Sequence, residues 1–327
     1  MITESDLSVK DVLGWKSIQS KETIQALWGG YGELVRLIGS DTSVIVKHID
    51  LPQPSSHPKG WNTNISHQRK LTSYLVEMTW YRDYATSCDE HCYVPRPIHI
   101  EQQEQSHRLV MEDLAQVGFP RVSTTATSSQ LSACLKWLAY FHAKHIGHLG
   151  EGLWPSGTYW HLQTRPDELN KLADLTLKNA ASAIDQHLTN APYQTLVHGD
   201  AKLANFCFSH CGRQAAAVDF QYVGRGCAMK DVALFMSSAI SPEECWEREQ
   251  EVLDAYFSFL KPALALYQPD LDPQDVEFHW RPLFSIAWAD FQRFVKGWSP
   301  DHWKINPYTE SLKERALEQL SKTPLDR

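Results

Sequence analysis

The sequence has no run of 18 or more apolar residues, which is the minimum length expected of a membrane-spanning helix. The N-terminal segment MITESDLSVKDVLGW also lacks the apolar core of a signal peptide. No internal repeat and no low-complexity tract occurs. From these absences we expect a soluble, cytoplasmic protein without a membrane partner.

Charges of both signs are spread along the chain. Its 31 Lys and Arg residues are interspersed with 39 Asp and Glu residues, and the net charge is −8. A protein that binds nucleic acid usually has a basic face. We therefore expect no nucleic-acid partner.

Cysteine is sparse, with seven residues scattered along the chain. An odd, scattered set indicates reduced thiols and not a disulfide framework. Cys207 and Cys211 flank His210 in CFSHC, which could be half of a zinc site. Because no second ligand pair stands nearby, we interpret them as packing or hairpin residues.

Aromatic and apolar residues are abundant, since 43% of the chain is hydrophobic and Trp, Tyr and Phe number 12 each. With 327 residues, this composition predicts a large core divided between two lobes. Residues 1–113 are predicted to form a small β-rich lobe. Its predicted elements are the strand-like runs IQALW, LVRLIG and SVIVKHID in an antiparallel meander, a long loop LPQPSSHPKGWNTNIS that could cover a site, a helix over His67–Thr86 with Leu71, Leu75, Met78 and Tyr81 on its buried face, and the hairpin PIHIEQQ–HRLVMEDL.

Residues 114–327 are predicted to form a larger, mainly helical lobe, so that the fold class is α+β. Short strands are expected around Asp200 and Asp219. The predicted helices are Ser128–Ile146, Pro166–Leu188, Lys230–Ile240, Pro242–Leu266 and Pro273–Gly297.

The segments LVHGDAKLANF and AAAVDFQ contain three polar residues in the order that phosphoryl transfer requires. A carboxylate must engage the acceptor hydroxyl, while an Asn and a second carboxylate hold Mg²⁺ against the phosphates of ATP. Asp200, Asn205 and Asp219 have this order and approximate spacing. They predict a kinase-type catalytic centre.

Lys47 ends the apolar strand SVIVK, and Glu77 lies mid-helix 30 residues later. Each taken alone is most simply an ordinary solvated charge. Together with the downstream Asp and Asn residues, they fit the strand-Lys to helix-Glu ion pair of the kinase template.

Two backbone segments are candidates for nucleotide contact. Gly29, Gly30 and Gly32 in GGYGE match part of a glycine-rich phosphate cover, although a plain hairpin also explains them, and Val35 occupies the third glycine position. A linker at MEDL would offer backbone groups to adenine; a simple connection between lobes is the alternative. Its candidate residues are Met111, Glu112 and Leu114.

These motifs, with the helices SYLVEMTWY and LAYFHA, resemble the aminoglycoside phosphotransferase/choline kinase superfamily over about Gly29 to Phe235. VEMTWY and DFQ are most similar to its ecdysteroid-kinase-like branch. The resemblance implies a two-lobed protein-kinase-like fold that binds ATP and Mg²⁺ and phosphorylates a hydroxyl group. It also implies that Asp200 is the catalytic base, that Asn205 and Asp219 bind Mg²⁺, and that Lys47, held by Glu77, binds the α- and β-phosphates.

The resemblance extends to four neighbouring residues. His198 is expected to brace the catalytic loop, and Asp231 either supports that loop or caps a helix. Lys202 either steadies the transferred group, as a catalytic residue, or faces solvent. Gln221 stands where protein kinases have Gly, so a flipping activation switch is not expected.

Eleven residues separate Asp219 from Asp231, and no A-P-E sequence follows. This leaves no room for a long activation segment, which favours a small-molecule hydroxyl acceptor over a protein substrate. The helices after Asp231 are rich in aromatic residues, and a stripe at Trp280, Phe284, Trp288 and Phe291 has the spacing of a buried helix face.

The acceptor itself stays open between an apolar hydroxylated compound and a quaternary ammonium or amino alcohol. Aminoglycosides rank lower because acidic residues are few here. A catalytically idle nucleotide-binding or scaffold protein is the alternative function, and the oligomeric state is unknown.

Overall fold

The structure is a computed structural model, and it describes residues 2–51 and 64–322. The strands in this part of the chain are β1 (Ser20–Ala26), β2 (Gly32–Ile38), β3 (Ser43–Asp50), β4 (Pro97–Gln102), β5 (Ser106–Glu112), β6 (Thr195–Val197), β7 (Phe206–Phe208), β8 (Ala215–Ala217) and β9 (Gly224–Gly226). The α-helices are α1 (Glu4–Val12), α2 (Asn64–Thr79), α3 (Ser128–His145), α4 (Pro166–Lys171), α5 (Leu175–Thr189), α6 (Met229–Ala239), α7 (Cys245–Tyr267), α8 (Pro273–Trp280), α9 (Leu283–Trp298) and α10 (Pro307–Lys322).

The first five strands form one antiparallel sheet in the order β1-β2-β3-β5-β4, as the predicted meander and hairpin require. Side chains alternate between the two faces of a strand. In β3, Val44 and Val46 therefore share one face with each other, and Lys47 lies on the opposite face. Lys47 is paired with Leu34 of β2 and Leu109 of β5, so it stands in the middle of the sheet.

A helix that was not predicted, α1, covers one face of this sheet. Thr3 caps it, with a reciprocal bond between Thr3 and Asp6 that satisfies two backbone donors. Val9 packs among the buried valines of the sheet. Lys21 then donates to Asp6, at 2.9 Å, and ties the helix to β1.

The predicted helix over His67–Thr86 is wrong in its end and in one position of its buried face. The α-helix α2 ends at Thr79 and widens into a π-helical turn over Trp80–Tyr84. Leu75 was predicted to be buried but is 46% exposed, whereas its neighbour Tyr74 is fully buried. The buried face was misassigned because the polar residues at its centre, described below, face the site. The predicted covering loop lies mostly outside the described residues.

Two predicted helices are each interrupted. The segment 166–188 breaks before Asp174, whose carboxylate accepts from the Leu177 N–H and caps α5. The segment 273–297 breaks at Pro282, where α8 has ended and α9 begins. The helix α10 was not predicted.

The main hydrophobic core lies among the helices of the C-terminal part and extends to the end of α2. Leu131, Leu135, Leu138 and Phe141 of α3 are buried, and so is the predicted aromatic stripe of α8 and α9. Cys207 lies in the β7–β8 hairpin and Cys211 in its turn, as expected. Within the described residues no helix is long and apolar enough to cross a membrane.

Candidate active site

Two short antiparallel ladders carry the predicted catalytic residues. Strand β6 pairs with β9, and β7 pairs with β8. Asp200 follows β6, Asn205 immediately precedes β7, and Asp219 follows β8. The N–H of Val218 donates to the carbonyl oxygen of Asn205 at 3.0 Å, which holds the two loops together. The topology thus brings the three residues to one place.

The Asp200 carboxylate is buried, with 5% of the residue exposed. Its Oδ2 accepts from Lys202 Nζ at 2.8 Å and from Asn205 Nδ2 at 3.0 Å. Its Oδ1 is buried without a hydrogen-bond partner among the described residues. Burial raises the pKa of Asp200, and the Lys202 ammonium partly offsets this. A buried oxygen without a donor is costly, so Oδ1 is suited to accept from a bound hydroxyl group.

Asn205 Nδ2 donates to Asp200 twice, to Oδ2 at 3.0 Å and to the backbone carbonyl oxygen at 2.8 Å. This orients the amide so that its Oδ1 is left for another partner. Asn205 and Asp219 then offer one amide oxygen and one carboxylate. Mg²⁺ is usually held by one or two such oxygen ligands together with substrate phosphates.

This donor set fits Mg²⁺–ATP better than a metal held by protein alone. The described residues contain no group of three or more His, Cys, Asp or Glu side chains that could hold a metal ion.

Asp219 adopts a left-handed backbone conformation with φ 70°, which is uncommon for a residue other than glycine. Its Oδ1 accepts from Gln221 Nε2 at 2.8 Å. Burial raises the pKa of Asp219, but the charges of Lys47, Lys202 and Lys70 outweigh it and hold the pKa below its usual value. The carboxylate is therefore ionised and aimed by its neighbours.

Lys47 and Glu77 form the predicted ion pair, with 2.6 Å between Nζ and Oε2. The same Nζ lies 3.5 Å from Asp219 Oδ1, which links the N-terminal sheet to the catalytic loops. Burial lowers the pKa of Lys47, but the carboxylates of Glu77 and Asp219 more than compensate and raise it. Lys47 is a buried cation at neutral pH.

A second lysine in this cleft was missed. Lys70 Nζ and Ser73 Oγ both donate to Gln221 Oε1, at 3.0 and 3.2 Å. Since Gln221 Nε2 binds Asp219, its side chain connects α2 to the candidate metal ligand. Burial, aided by the charge of Lys47, lowers the pKa of Lys70 to about 8. The clue was available, because Lys70 stands two helical turns before Glu77 on the same face.

Asp231 supports the catalytic loop and does not cap its helix. Its carboxylate accepts from the N–H groups of His198 and Gly199, at 2.6 and 3.0 Å, and contacts His142 Nε2 at 3.1 Å. The N-cap position of α6 is Ala228, which has no side-chain cap. The helix-capping alternative is therefore wrong.

His198 braces the loop through both ring nitrogens. Nδ1 accepts from the Asp200 N–H at 3.2 Å, so Nε2 carries the proton and donates to the Val218 carbonyl oxygen at 3.0 Å. Gly199 between them has φ +79°, and a Cβ there would lie 2.1 Å from the Tyr222 oxygen. Only glycine fits this position.

The glycine turn lies at the end of β3 that follows Lys47, because Gly32 pairs with Ile49. Gly29 and Gly30 have positive φ, and nothing lies within 4 Å of a Cβ built on Gly30. A Cβ on Gly32 would lie 2.1 Å from the His48 oxygen, so this glycine is required by strand packing. The alternative of a plain hairpin therefore explains Gly32, and it leaves Gly29 and Gly30 unexplained.

The linker has few free backbone groups. The Glu112 N–H donates to the Arg96 carbonyl oxygen at 2.9 Å, and the Leu114 oxygen accepts from the N–H groups of Gly118 and Phe119. The Glu112 N–H and the Leu114 carbonyl are therefore unavailable for hydrogen bonds to adenine. The Leu114 N–H makes no hydrogen bond within the described residues. Met111 is buried in the main core.

Comparison with known proteins gives one family match and several structural matches. A family model described as the phosphotransferase enzyme family matches residues 23–267. Among solved structures, the chain is similar to a microcompartment-associated aminopropanol kinase, with 12% identity, 96% of each chain covered and a TM-score of 0.53. No curated protein matches the sequence.

Two further solved structures match most of the chain at similarly low sequence identity. The ethanolamine kinase of Plasmodium vivax is 13% identical, over 96% of this chain and 89% of that one, with a TM-score of 0.51. A spectinomycin phosphotransferase in complex with ADP and spectinomycin is 10% identical, over 96% and 97%, with a TM-score of 0.50. At these identities the likeness establishes the shared two-lobed, protein-kinase-like fold.

Proposed function

Since the chain belongs to the phosphotransferase enzyme family, we propose that it is an ATP- and Mg²⁺-dependent kinase that phosphorylates a hydroxyl group of a small molecule. One observation carries this proposal: the buried Asp200 has a carboxylate oxygen without a partner, beside Asn205 and Asp219. These residues lie next to a lysine that a glutamate anchors from the other lobe. Phosphoryl transfer needs this combination of base, metal ligands and cation.

Asp200 is the residue that engages the acceptor. Mg²⁺–ATP would supply the phosphoryl group, which would pass to the acceptor oxygen and leave ADP. Asp200 Oδ1 accepts the hydroxyl proton, and its raised pKa makes it a stronger base than an exposed aspartate. Lys202 and Asn205 hold the other carboxylate oxygen and so orient Oδ1.

The remaining residues of the site would bind Mg²⁺ and neutralise the charge of the phosphates. Asn205 and Asp219 would hold Mg²⁺ through their side-chain oxygens, and Lys47 would contact the α- and β-phosphates while Glu77 keeps it in place. Lys202 is 43% exposed at its side chain, so its ammonium can contact both Asp200 and the transferred group. Catalysis is then mainly positioning and electrostatic stabilisation.

The adenine and phosphate contacts are part of the same proposal. The Leu114 N–H would donate to the base, with the Glu112 carbonyl as the second linker group and Met111 in the surrounding apolar wall. Gly29 and Gly30 would cover the phosphates. The lobe boundary between residues 113 and 114 and the ecdysteroid-kinase-like branch belong to this proposal too, the latter on the strength of VEMTWY and DFQ.

The structural neighbours agree with a small acceptor. Aminopropanol kinase and ethanolamine kinase are named for amino alcohols, and the spectinomycin phosphotransferase was solved with ADP. The idle alternative receives no support from the site, because every polar group that the reaction needs is present among the described residues.

Paired substitutions test the proposal. Asp200→Asn should lower kcat about 10²- to 10⁴-fold, because the base is lost, and should leave thermal stabilisation by Mg²⁺–ATP nearly unchanged. Asp219→Ala should instead weaken that stabilisation. The control is Asp254→Asn, at an exposed ion pair on α7, which should behave as wild type. ADP release over a panel of hydroxylated sterols, sugars, amino alcohols and hydroxy acids provides the turnover measurement. Wild-type turnover in Asp200→Asn would refute the assignment.

A further inference from the structure

The surface next to Asp200 has an aromatic wall built from two distant segments. The N–H of Tyr159 donates to the Gly199 carbonyl oxygen at 3.3 Å, so the backbone of Tyr159 lies beside the catalytic loop. Its centroid lies 6.2 Å from that of Phe291 and 5.6 Å from that of Phe294, both on α9. Burial raises the pKa of Tyr159, and the negative charge of Asp200 adds to this. The phenol and the proposed base therefore share one environment.

A lysine from the segment between α9 and α10 enters this surface. Lys304 Nζ donates to Ser237 Oγ at 2.9 Å and lies 5.1 Å from the centre of the Phe291 ring. The next residue of α6, Ser238, accepts through Oγ from the N–H of Leu203 in the catalytic loop at 2.9 Å. Lys304 is thus attached to the helix end that supports the catalytic loop.

The ammonium of Lys304 has no direct ionic partner in the part of the chain that the structure describes. Among the described residues no carboxylate lies within ion-pair distance of it, although its charge interacts with those of Asp200 and Lys202. Burial lowers the pKa of Lys304 to about 8, so the ammonium is still largely protonated at neutral pH. A half-buried cation without a counter-ion is unfavourable unless an anion binds to it.

A second cation stands on the same wall. The guanidinium of Arg165 lies 4.7 Å from the centre of the Phe294 ring, and its Nε donates to the Tyr159 carbonyl oxygen at 2.6 Å. Its one carboxylate partner among the described residues is Glu168, at 3.2 Å. Glu168 compensates the charge of Arg165, so among the described residues Lys304 is the cation of this wall without a carboxylate in ion-pair contact.

We propose, on the basis of the function proposed above, that the acceptor carries an anionic group and an apolar body besides its hydroxyl, and that Lys304 determines this specificity. The anionic group would bind the Lys304 ammonium while the apolar body packs on the half-buried ring of Tyr159, which the buried Phe291 and Phe294 support from behind. A cationic acceptor would face the like charge of Lys304 at the same place. The site therefore selects hydroxy acids over amino alcohols of the same size.

Matched acceptors that differ only in charge test this specificity. One set is 4-(hydroxymethyl)benzoate, its neutral amide and 4-(aminomethyl)benzyl alcohol; a smaller set is glycerate, glycerol and 3-amino-1,2-propanediol. We expect kcat/KM from ADP release, and stabilisation of the Mg²⁺–ADP complex in thermal shifts, to decrease from anion to neutral compound to cation. A cation that is preferred by the wild-type protein would overturn the proposal.

Substitutions at Lys304 connect the preference to the residue. Lys304→Gln should reduce the advantage of the anion over the neutral compound by about 10- to 100-fold, the range for a charge-assisted hydrogen bond, mainly through the acceptor KM. Lys304→Arg should retain most of it. Lys322→Gln, an exposed lysine at the end of α10, is the matched control and should change nothing.

The outcomes separate this inference from the proposed function. If no compound is phosphorylated, the proposed function fails, and the inference is then decided by binding alone. Stabilisation by the anions in wild type but not in Lys304→Gln supports it, and absence of stabilisation by every anion refutes it. A rise in the KM for Mg²⁺–ATP with an unchanged acceptor preference would place Lys304 at the triphosphate and also refute it.

Discussion

Single side chains of the candidate site keep opposite charges buried at short distances. Lys47 and Glu77 are 5% and 2% exposed, and each is the nearest ionic partner of the other. Burying both charges is costly, and their mutual attraction offsets much of that cost. Replacing one partner leaves the other charge buried without compensation.

This predicts a difference between single and double variants. Lys47→Met should lower the free energy of unfolding by about 3–5 kcal/mol, because the Glu77 carboxylate is left unpaired. The double variant Lys47→Met, Glu77→Leu should regain most of that stability without regaining turnover. Urea unfolding and ADP release are the two measurements. A double variant that is no more stable than Lys47→Met would contradict the argument.

Gln221 holds the loop that carries Asp219, the candidate metal ligand. Its side-chain Nε2 donates to Asp219, and its Oε1 accepts from Lys70 and Ser73 of α2. Gln221 therefore connects Asp219 to α2. Glycine, which protein kinases have at this position, could make none of these bonds. That no activation switch operates here stays a prediction.

At the scale of elements, helix α5 is joined to α9 and α10 through a single carboxylate. Asp174 caps α5 and accepts from Lys296 at 2.8 Å and Lys313 at 3.2 Å. Burial acts to raise the pKa of Asp174, but the bonds to Lys296, Leu177 and Lys313 lower it to about 2. Three helices therefore depend on this charge.

The charge at Asp174 makes stability depend on pH in a definite direction. Because the pKa is lowered from 3.8 in the unfolded chain to about 2, its contribution is complete above the unfolded value and is lost as the pH falls towards 2. Asp174→Asn keeps a capping side chain, so it should cost about 2 kcal/mol at pH 7 through the lost charge alone.

Urea unfolding of wild type and Asp174→Asn at a series of pH values is the measurement. The difference between the two proteins should shrink as the pH is lowered from 5 towards 2. Asp254→Asn removes an exposed ion pair of α7 and should cost at most about 1 kcal/mol. A cost at Asp174 that does not change with pH would show that its charge is unimportant.

At the scale of the whole molecule, the two parts share a core. Trp80, at the end of α2, is fully buried and stacks on Phe220 of the DFQ motif with 4.5 Å between ring centroids. Trp154 Nε1 also donates to the Gln221 carbonyl oxygen at 2.8 Å. The DFQ segment is therefore packed between elements of both lobes.

We accordingly expect the lobes to lose structure together. Trp80→Ala should destabilise the protein by about 3–5 kcal/mol, because it leaves a large cavity. Amide hydrogen exchange should become faster both in β3 and in α6. Trp246→Ala, at a tryptophan that is 57% exposed, should have little effect. Faster exchange confined to one lobe would show that the lobes unfold independently.

The sequence alone determined the features that depend on near neighbours. Strands follow from alternating side chains, and Asp200 and Asn205 belong to one loop, so their chemistry could be inferred from their spacing. The exposed position of Leu75 was misjudged because the face of α2 that turns inward is centred on the charged Glu77 and Lys70, and Leu75 lies away from it. Hydrophobic periodicity cannot recognise such a face.

Only the tertiary structure decided what surrounds Asp200, the proposed base. Lys304 and Arg165 are more than a hundred residues apart in sequence, and no local pattern marks either as a partner of the aromatic wall beside Asp200. Their positions follow from how α4, α6, α9 and α10 pack, since packing joins residues irrespective of their separation along the chain. The reaction type could therefore be inferred from the sequence, whereas the proposed charge of the acceptor surface required the folded chain.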